Sequence, residues 1–153
     1  MSRHFLSKKD SAEIHKGLDE VGIASGNSNV EVEENKSQKY YYLNGEPLAF
    51  LQDGSVIPAL KTLGKYRPSR GSVVVDDGAV PRLLNGANLF AQGIVRMDPD
   101  TVPGNLVFIQ NLQGIYFAVG IATRSAADTM QDKHGEAIRI IHYAGDKVYR
   151  EFG

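Results

Sequence analysis

The stretch Val75-Asp76-Asp77-Gly78-Ala79-Val80-Pro81-Arg82-Leu83-Leu84-Asn85-Gly86-Ala87-Asn88-Leu89 decides how this chain is read. It predicts a strand, a short helix over residues 78–85 and a glycine stop that leads straight into another strand. Asp76 or Asp77 supplies a side-chain oxygen to the unpaired N–H groups of the first turn, and Gly86 takes the left-handed conformation without a Cβ penalty. A glycine there also leaves main-chain N–H groups around Gly86 and Ala87 open to a phosphate or a base edge. The same pattern fits a plain helix stop, because glycine is the common residue just past a helix end.

Downstream, residues 90–95, 106–111, 116–123 and 140–143 are short apolar runs. Asp98-Pro99, Pro103-Gly104, Gln113-Gly114 and Gly145-Asp146 punctuate them, which predicts a small closed or nearly closed barrel. Ser125 with Asp128 three residues later predicts a helical turn or two over Ala126–Gln131.

Upstream, Ser7 with Asp10 opens an amphipathic helix of about three turns carried by Ile14, Leu18 and Val21 and ending near Gly22. Residues 25–29 form a loop, and Val30 and Val32 alternate with Glu31 and Glu33 as in a half-buried strand. Lys39–Leu43 and residues 46–51 make a hairpin on Asn44-Gly45, a pair suited to the two positive φ angles of a type I′ turn. Pro47 then belongs on a sheet edge or next to the turn. Asp53-Gly54 turns the chain again, and Pro58 predicts the first position of a helix over 59–63 that Gly64 stops. The boundary falls at 68–71. The expected fold is α+β: a small N-terminal α/β domain over residues 1–70, then a β pseudo-barrel with short helices over 71–153.

No apolar run approaches the roughly 20 residues that cross a bilayer, and the first ten residues hold too short an apolar core for a signal peptide, so a cytoplasmic location is expected. With no cysteine, disulfides and thiolate metal sites are excluded. The net charge of −1 gives no global sign of a polyanion partner. Its distribution differs: residues 54–75 and 78–97 contain no acid, while Lys61, Lys65, Arg67, Arg70, Arg82 and Arg96 accumulate there. That makes the middle of the chain the phosphate-facing region, or a solvated basic face. The four histidines have no H-E-x-x-H spacing, the glycines form no Walker or dinucleotide fingerprint, and adjacent Asp76 and Asp77 are better explained by capping than as a carboxylate pair. No catalytic residue, metal or cofactor is therefore expected, and the chain is read as a non-enzyme.

Residues 72–153 resemble a PUA domain, the RNA-binding module of pseudouridine synthases and archaeosine transglycosylases. The resemblance rests on the quoted stretch, Phe90-Ala91-Gln92-Gly93-Ile94-Val95, Ala118-Val119-Gly120-Ile121-Ala122 and Ile140-Ile141-His142-Tyr143. Tyr41-Tyr42-Leu43-Asn44-Gly45-Glu46-Pro47-Leu48-Ala49-Phe50 with Ile57-Pro58-Ala59-Leu60-Lys61 resembles the domain preceding PUA in the malignant-T-cell-amplified-sequence and ligatin family of ribosome-associated translation factors. Two positions depart from the pattern: Gln92 stands where a proline is usual, and Tyr149 lies near where some relatives place tryptophan.

What the resemblance implies is a groove for RNA. Its wall carries Arg82, Asn85, Gly86, Ala87, Asn88, Gly93 and Arg96, with His142 and Tyr143 across from it. Arg82 and Arg96 would meet phosphates, and the amides after Asn85 base edges or backbone. Tyr143 would stack on an unpaired base or pack as a barrel residue. Lys61, Lys65 and Arg67 form a second set of contacts. The expected partners are ribosomal RNA or tRNA, with the small ribosomal subunit and a protein partner in translation. The alternative is an accessory subunit acting in trans with a transglycosylase or pseudouridine synthase. A third reading is an adaptor that docks a protein on the hairpin edge at residues 40–43.

Overall fold

The computed structural model describes residues 2–153. Its first sheet is an antiparallel meander in sequence order: β1 (Arg3–Phe5), β2 (Glu31–Glu34), β3 (Lys39–Leu43), β4 (Glu46–Gln52) and β5 (Ser55–Pro58). Helix α1 (Lys8–Glu20) joins β1 to β2, and α2 (Leu60–Lys65) follows β5. The second sheet holds β6 (Ser72–Val75), β7 (Leu89–Phe90), β8 (Ile94–Met97), β9 (Leu106–Gln110), β10 (Tyr116–Ala122) and β11 (Glu136–Tyr143). Their spatial order is β7-β11-β10-β9-β6-β8, with β6 parallel to β9 and the other pairs antiparallel, a nearly closed pseudo-barrel. Helix α3 (Val80–Leu83) lies between β6 and β7, α4 (Ala126–Gln131) between β10 and β11, and α5 (Lys147–Phe152) ends the chain.

The local signals work as read at several points. The Ser7 hydroxyl accepts the Asp10 N–H at 3.0 Å, and α1 buries Ile14 and Leu18. Its buried polar residues have defined tasks. Ser11 Oγ accepts the Val30 N–H at 2.9 Å, and the His15 ring lies 2.6 Å from Ser25 Oγ and 2.7 Å from the Ser28 carbonyl, which pins the loop leading into β2. Asn44-Gly45 and Asp53-Gly54 both take paired positive φ angles, 51° and 79°, and 50° and 79°. These are type I′ turns, whose twist matches that of the strands they join. Pro47 sits beside the first turn, where the β3–β4 register shifts. Ser125 accepts the Asp128 N–H at 3.0 Å and starts α4.

Elsewhere the structure differs. Pro58 ends strand β5, paired with Ala49, and does not begin a helix; α2 starts at Leu60 after the N-cap Ala59, and Gly64 lies inside it. The expected helix over 78–85 is reduced to the single turn of α3. β1 and α5 had no counterpart in the sequence reading. Residues 40–43 are not an edge: β3 lies between β2 and β4, and Tyr40, Tyr41, Tyr42 and Leu43 are buried, so the hairpin offers no docking strand.

The two sheets share a core. Phe108, Tyr116 and Val119 of the barrel pack in one cluster with Leu18, Tyr40, Phe50 and Leu63. α5 crosses back to the first sheet, where Phe152 stacks on Tyr40 with ring centroids 4.7 Å apart and meets Tyr42 edge-on at 5.2 Å. The Tyr40 hydroxyl donates to Glu151 at 2.6 Å; burial, then this carboxylate, pushes the Tyr40 pKa upward.

Candidate nucleic-acid interface

Strand β6 ends at Val75, and the carboxylate of the next residue, Asp76, accepts the Ala79 N–H at 3.0 Å and turns the chain into α3. Pro81 suits this first turn because it has no N–H to leave unpaired. The helix then closes on both sides of Gly86. The Gly86 N–H donates to the Leu83 carbonyl at 3.0 Å, and the Ala87 N–H reaches back to the Arg82 carbonyl at 3.1 Å. This is a Schellman cap, with Gly86 at φ 86°. The plain helix-stop reading therefore holds for these two amides, and the expectation that they lie open to RNA is corrected: each is spent within the cap. A Cβ on Gly86 would lie 3.3 Å from the Tyr143 hydroxyl oxygen, so the bare glycine also lets the Tyr143 ring lie against the turn.

Beyond the cap, a cavity of about 200 Å³ opens between α3 and β7. Ala79, Leu83 and Leu89 give it apolar walls, with Arg82 and Asn88 among its lining residues. Gly93 lies in the lining because nothing larger fits: a Cβ there would come within 2.9 Å of Ala79 Cβ. The Asn88 side-chain oxygen accepts the Ile140 N–H at 2.9 Å, which fixes that residue to β11. Arg82 is exposed and forms no ion pair among the described residues. Phe90 also lines the cavity and leaves 54% of its surface exposed on an edge strand. The sequence reading missed Phe90; the available signal was an aromatic residue two positions past Asn88, in a strand too short to bury it.

Of the expected wall, Arg82, Ala87, Asn88 and Gly93 come together at this cavity, and exposed Asn85 and Gly86 adjoin it in sequence. Arg96 is exposed on β8 but does not line it. Tyr143 is half-buried beneath Gly86, the packing alternative raised for it. His142 is corrected outright: it is 1% exposed, edge-on to Phe50 at 5.0 Å, and out of reach of a ligand. Its Nδ1 lies 2.8 Å from Asp146, and with the proton on that nitrogen Nε2 is a bare acceptor with no partner among the described residues. Asp146 also accepts the N–H groups of Tyr143 and Tyr149. Burial raises the Asp146 pKa, but the His142 imidazole and these two amides outweigh it and hold the carboxyl below its ordinary value.

The second set of basic residues is largely occupied with the protein itself. Lys65 lies 3.6 Å from Glu46 and faces the Tyr66 ring. The Arg67 guanidinium donates to the Gly114 carbonyl at 3.3 Å and sits 5.0 Å from the centre of the Tyr116 ring. Arg70 donates to the Glu20 carbonyl at the end of α1. Lys61 is exposed on α2 and has no ion pair among the described residues.

A six-strand pseudo-barrel with this strand–turn–strand wall is the PUA architecture, and the sequence matches the family described as PUA domain over residues 71–144. Residues 2–66 match a second family, described as Domain of unknown function (DUF1947). A solved conserved PUA domain protein from Thermoplasma acidophilum superposes with a TM-score of 0.92 at 41% identity, covering 99% of this chain and 100% of that one. The chain belongs to the PUA-domain family, in the form that carries a DUF1947 domain ahead of PUA. It is 33% identical over 116 residues to translation machinery-associated protein 20 of Schizosaccharomyces pombe, covering 72% of this chain and 64% of that one. It is 30% identical over 112 residues to malignant T-cell-amplified sequence 1 of Rattus norvegicus, covering 70% and 62%. The chain thus spans just under two thirds of those relatives, and the resemblance to the malignant-T-cell-amplified-sequence family holds. No helix among the described residues is long and apolar enough to cross a membrane.

Proposed function

We propose that this chain is an RNA-binding factor of the translation apparatus that holds unpaired nucleotides at the cavity between α3 and β7. The observation that carries the reading is the pairing of a half-exposed aromatic ring, Phe90, with the Arg82 guanidinium, which has no ion pair among the described residues, on the lining of one apolar cavity. Single-stranded RNA is recognised by that combination: a base stacks on the ring while a nearby phosphate meets the guanidinium. Asn88, with its oxygen committed to Ile140, has its side-chain NH₂ left to donate to a base edge. The cavity volume of about 200 Å³ suits one base, not a duplex. The name of the Schizosaccharomyces pombe relative, translation machinery-associated protein 20, supports the setting. Within it, the proposed RNA is ribosomal RNA or a tRNA end, and its carrier the small ribosomal subunit.

Arg82→Gln tests the phosphate contact. The slope of log affinity against log salt for a single-stranded RNA is expected to fall by about 0.7, the contribution of one phosphate, as read by fluorescence anisotropy at several salt concentrations. An unchanged slope removes Arg82 from the interface.

A further inference from the structure

A larger cleft, of about 530 Å³, runs on another side of the molecule between the first sheet and the barrel. One wall is β5 with the turn before it, and the other is the face of β10 and β11 that carries Ile121, Arg139 and Ile141. Val21 at the end of α1 and Leu106 at the start of β9 add apolar surface. β5 is the last strand of its sheet, so one of its edges has no strand partner among the described residues.

The register says which groups that edge presents. Ala59 donates to the Leu48 carbonyl at 3.0 Å, directly before the pairs Ala49–Pro58, Phe50–Ile57, Leu51–Val56 and Gln52–Ser55. Antiparallel pairs alternate between hydrogen-bonded and not, so Ile57 and Ser55 bond to β4 while the N–H and C=O of Val56 point away from it. Pro58 has no N–H to offer on that edge. The open edge therefore presents one donor, the Val56 N–H, and two acceptors, the carbonyls of Val56 and Pro58, beside an apolar cleft.

Charge indicates the occupant. Arg139 is exposed on β11 with no ion pair among the described residues, while Glu20 and Asp53 are acids on the same lining. A polyanionic backbone meets repulsion from those two acids, whereas an extended peptide satisfies Val56, fills the apolar surface and sets one acidic side chain on Arg139.

We propose that this cleft docks an extended peptide segment of a partner protein, hydrogen-bonded to the main chain of Val56 and carrying an acidic residue that faces Arg139. The full chain, labelled with nitrogen-15, is titrated with a set of capped seven-residue peptides of alternating valine and threonine in which one aspartate occupies each position in turn. A matched set carries lysine instead. The aspartate peptides are expected to shift the amide signals of Val56, Ile121, Arg139 and Ile141 and to bind about fivefold more tightly than the lysine set. Arg139→Glu, on an exposed position, is expected to invert that preference while leaving signals outside the cleft in place. The proposal is overturned if no aspartate peptide moves those signals, if the two sets bind alike, or if a seven-nucleotide single-stranded RNA moves them instead.

Discussion

Phe90→Ala is expected to weaken binding of a single-stranded RNA by about fivefold or more, since one base stacked on an aromatic ring contributes about 1–3 kcal/mol. The salt slope should stay at the wild-type value, because no phosphate contact is removed. That separation is the point of the variant. Loss of affinity with an unchanged slope identifies a stacking contact, whereas Arg82→Gln changes the slope. Folding is not at stake: Phe90 is 54% exposed on a two-residue edge strand, so its removal leaves little cavity. Anisotropy titrations of both variants against the same oligonucleotide read the two effects side by side. Wild-type affinity for Phe90→Ala would remove the ring from the site.

The largest expected effect on stability is at Asp146. Its carboxylate accepts from the His142 imidazole at 2.8 Å, from the Tyr143 N–H at 3.0 Å and from the Tyr149 N–H at 2.8 Å. One side chain thus holds the end of β11, a fully buried ring and the first turn of α5. Asp146→Ala leaves the imidazole and an amide without partners and removes a helix cap, at a combined cost of about 3 kcal/mol. Chemical denaturation at neutral pH measures it. The pH dependence has a definite sign. The folded-state pKa is depressed, so the stabilisation is fully present above the ordinary carboxylate value and is lost as pH falls through the lower folded value. The wild-type advantage over Asp146→Ala should therefore be flat near neutrality and shrink in acid. A difference that persists undiminished in strong acid would contradict the assigned bonds.

The elements that were legible in the sequence are those whose cause is local. Ser7 with Asp10, Ser125 with Asp128, and Asn44-Gly45 each state their geometry within four residues, and the structure uses all three as read. Elements stabilised by distant partners were not legible. β1 has no buried side chain of its own and exists because its main chain pairs with β2. α5 is a short helix whose Phe152 is stabilised by Tyr40 and Tyr42, more than a hundred positions earlier in the chain. β5 was obscured by Pro58, which reads as a helix start but serves as a strand end whose missing N–H falls on the open edge.

The candidate site divides the same way. Gly86 was correctly read as a helix stop, yet the cap that makes glycine necessary also consumes the amides it was expected to expose. His142 looked like a surface ligand because nothing near it in sequence announces Phe50, the ring that covers it. Phe90 is the converse case. Strand aromatics ordinarily pack, and only the position of β7 at the sheet edge leaves this one facing outward.

The most direct test is a nitrogen-15 titration of the full chain with a short single-stranded RNA, following amide signals residue by residue. The proposed function predicts that shifts concentrate at Ala79, Arg82, Asn88, Phe90 and Gly93, around the cavity between α3 and β7. Shifts confined to Lys61, Lys65 and Arg67, with the cavity residues unmoved, would contradict it.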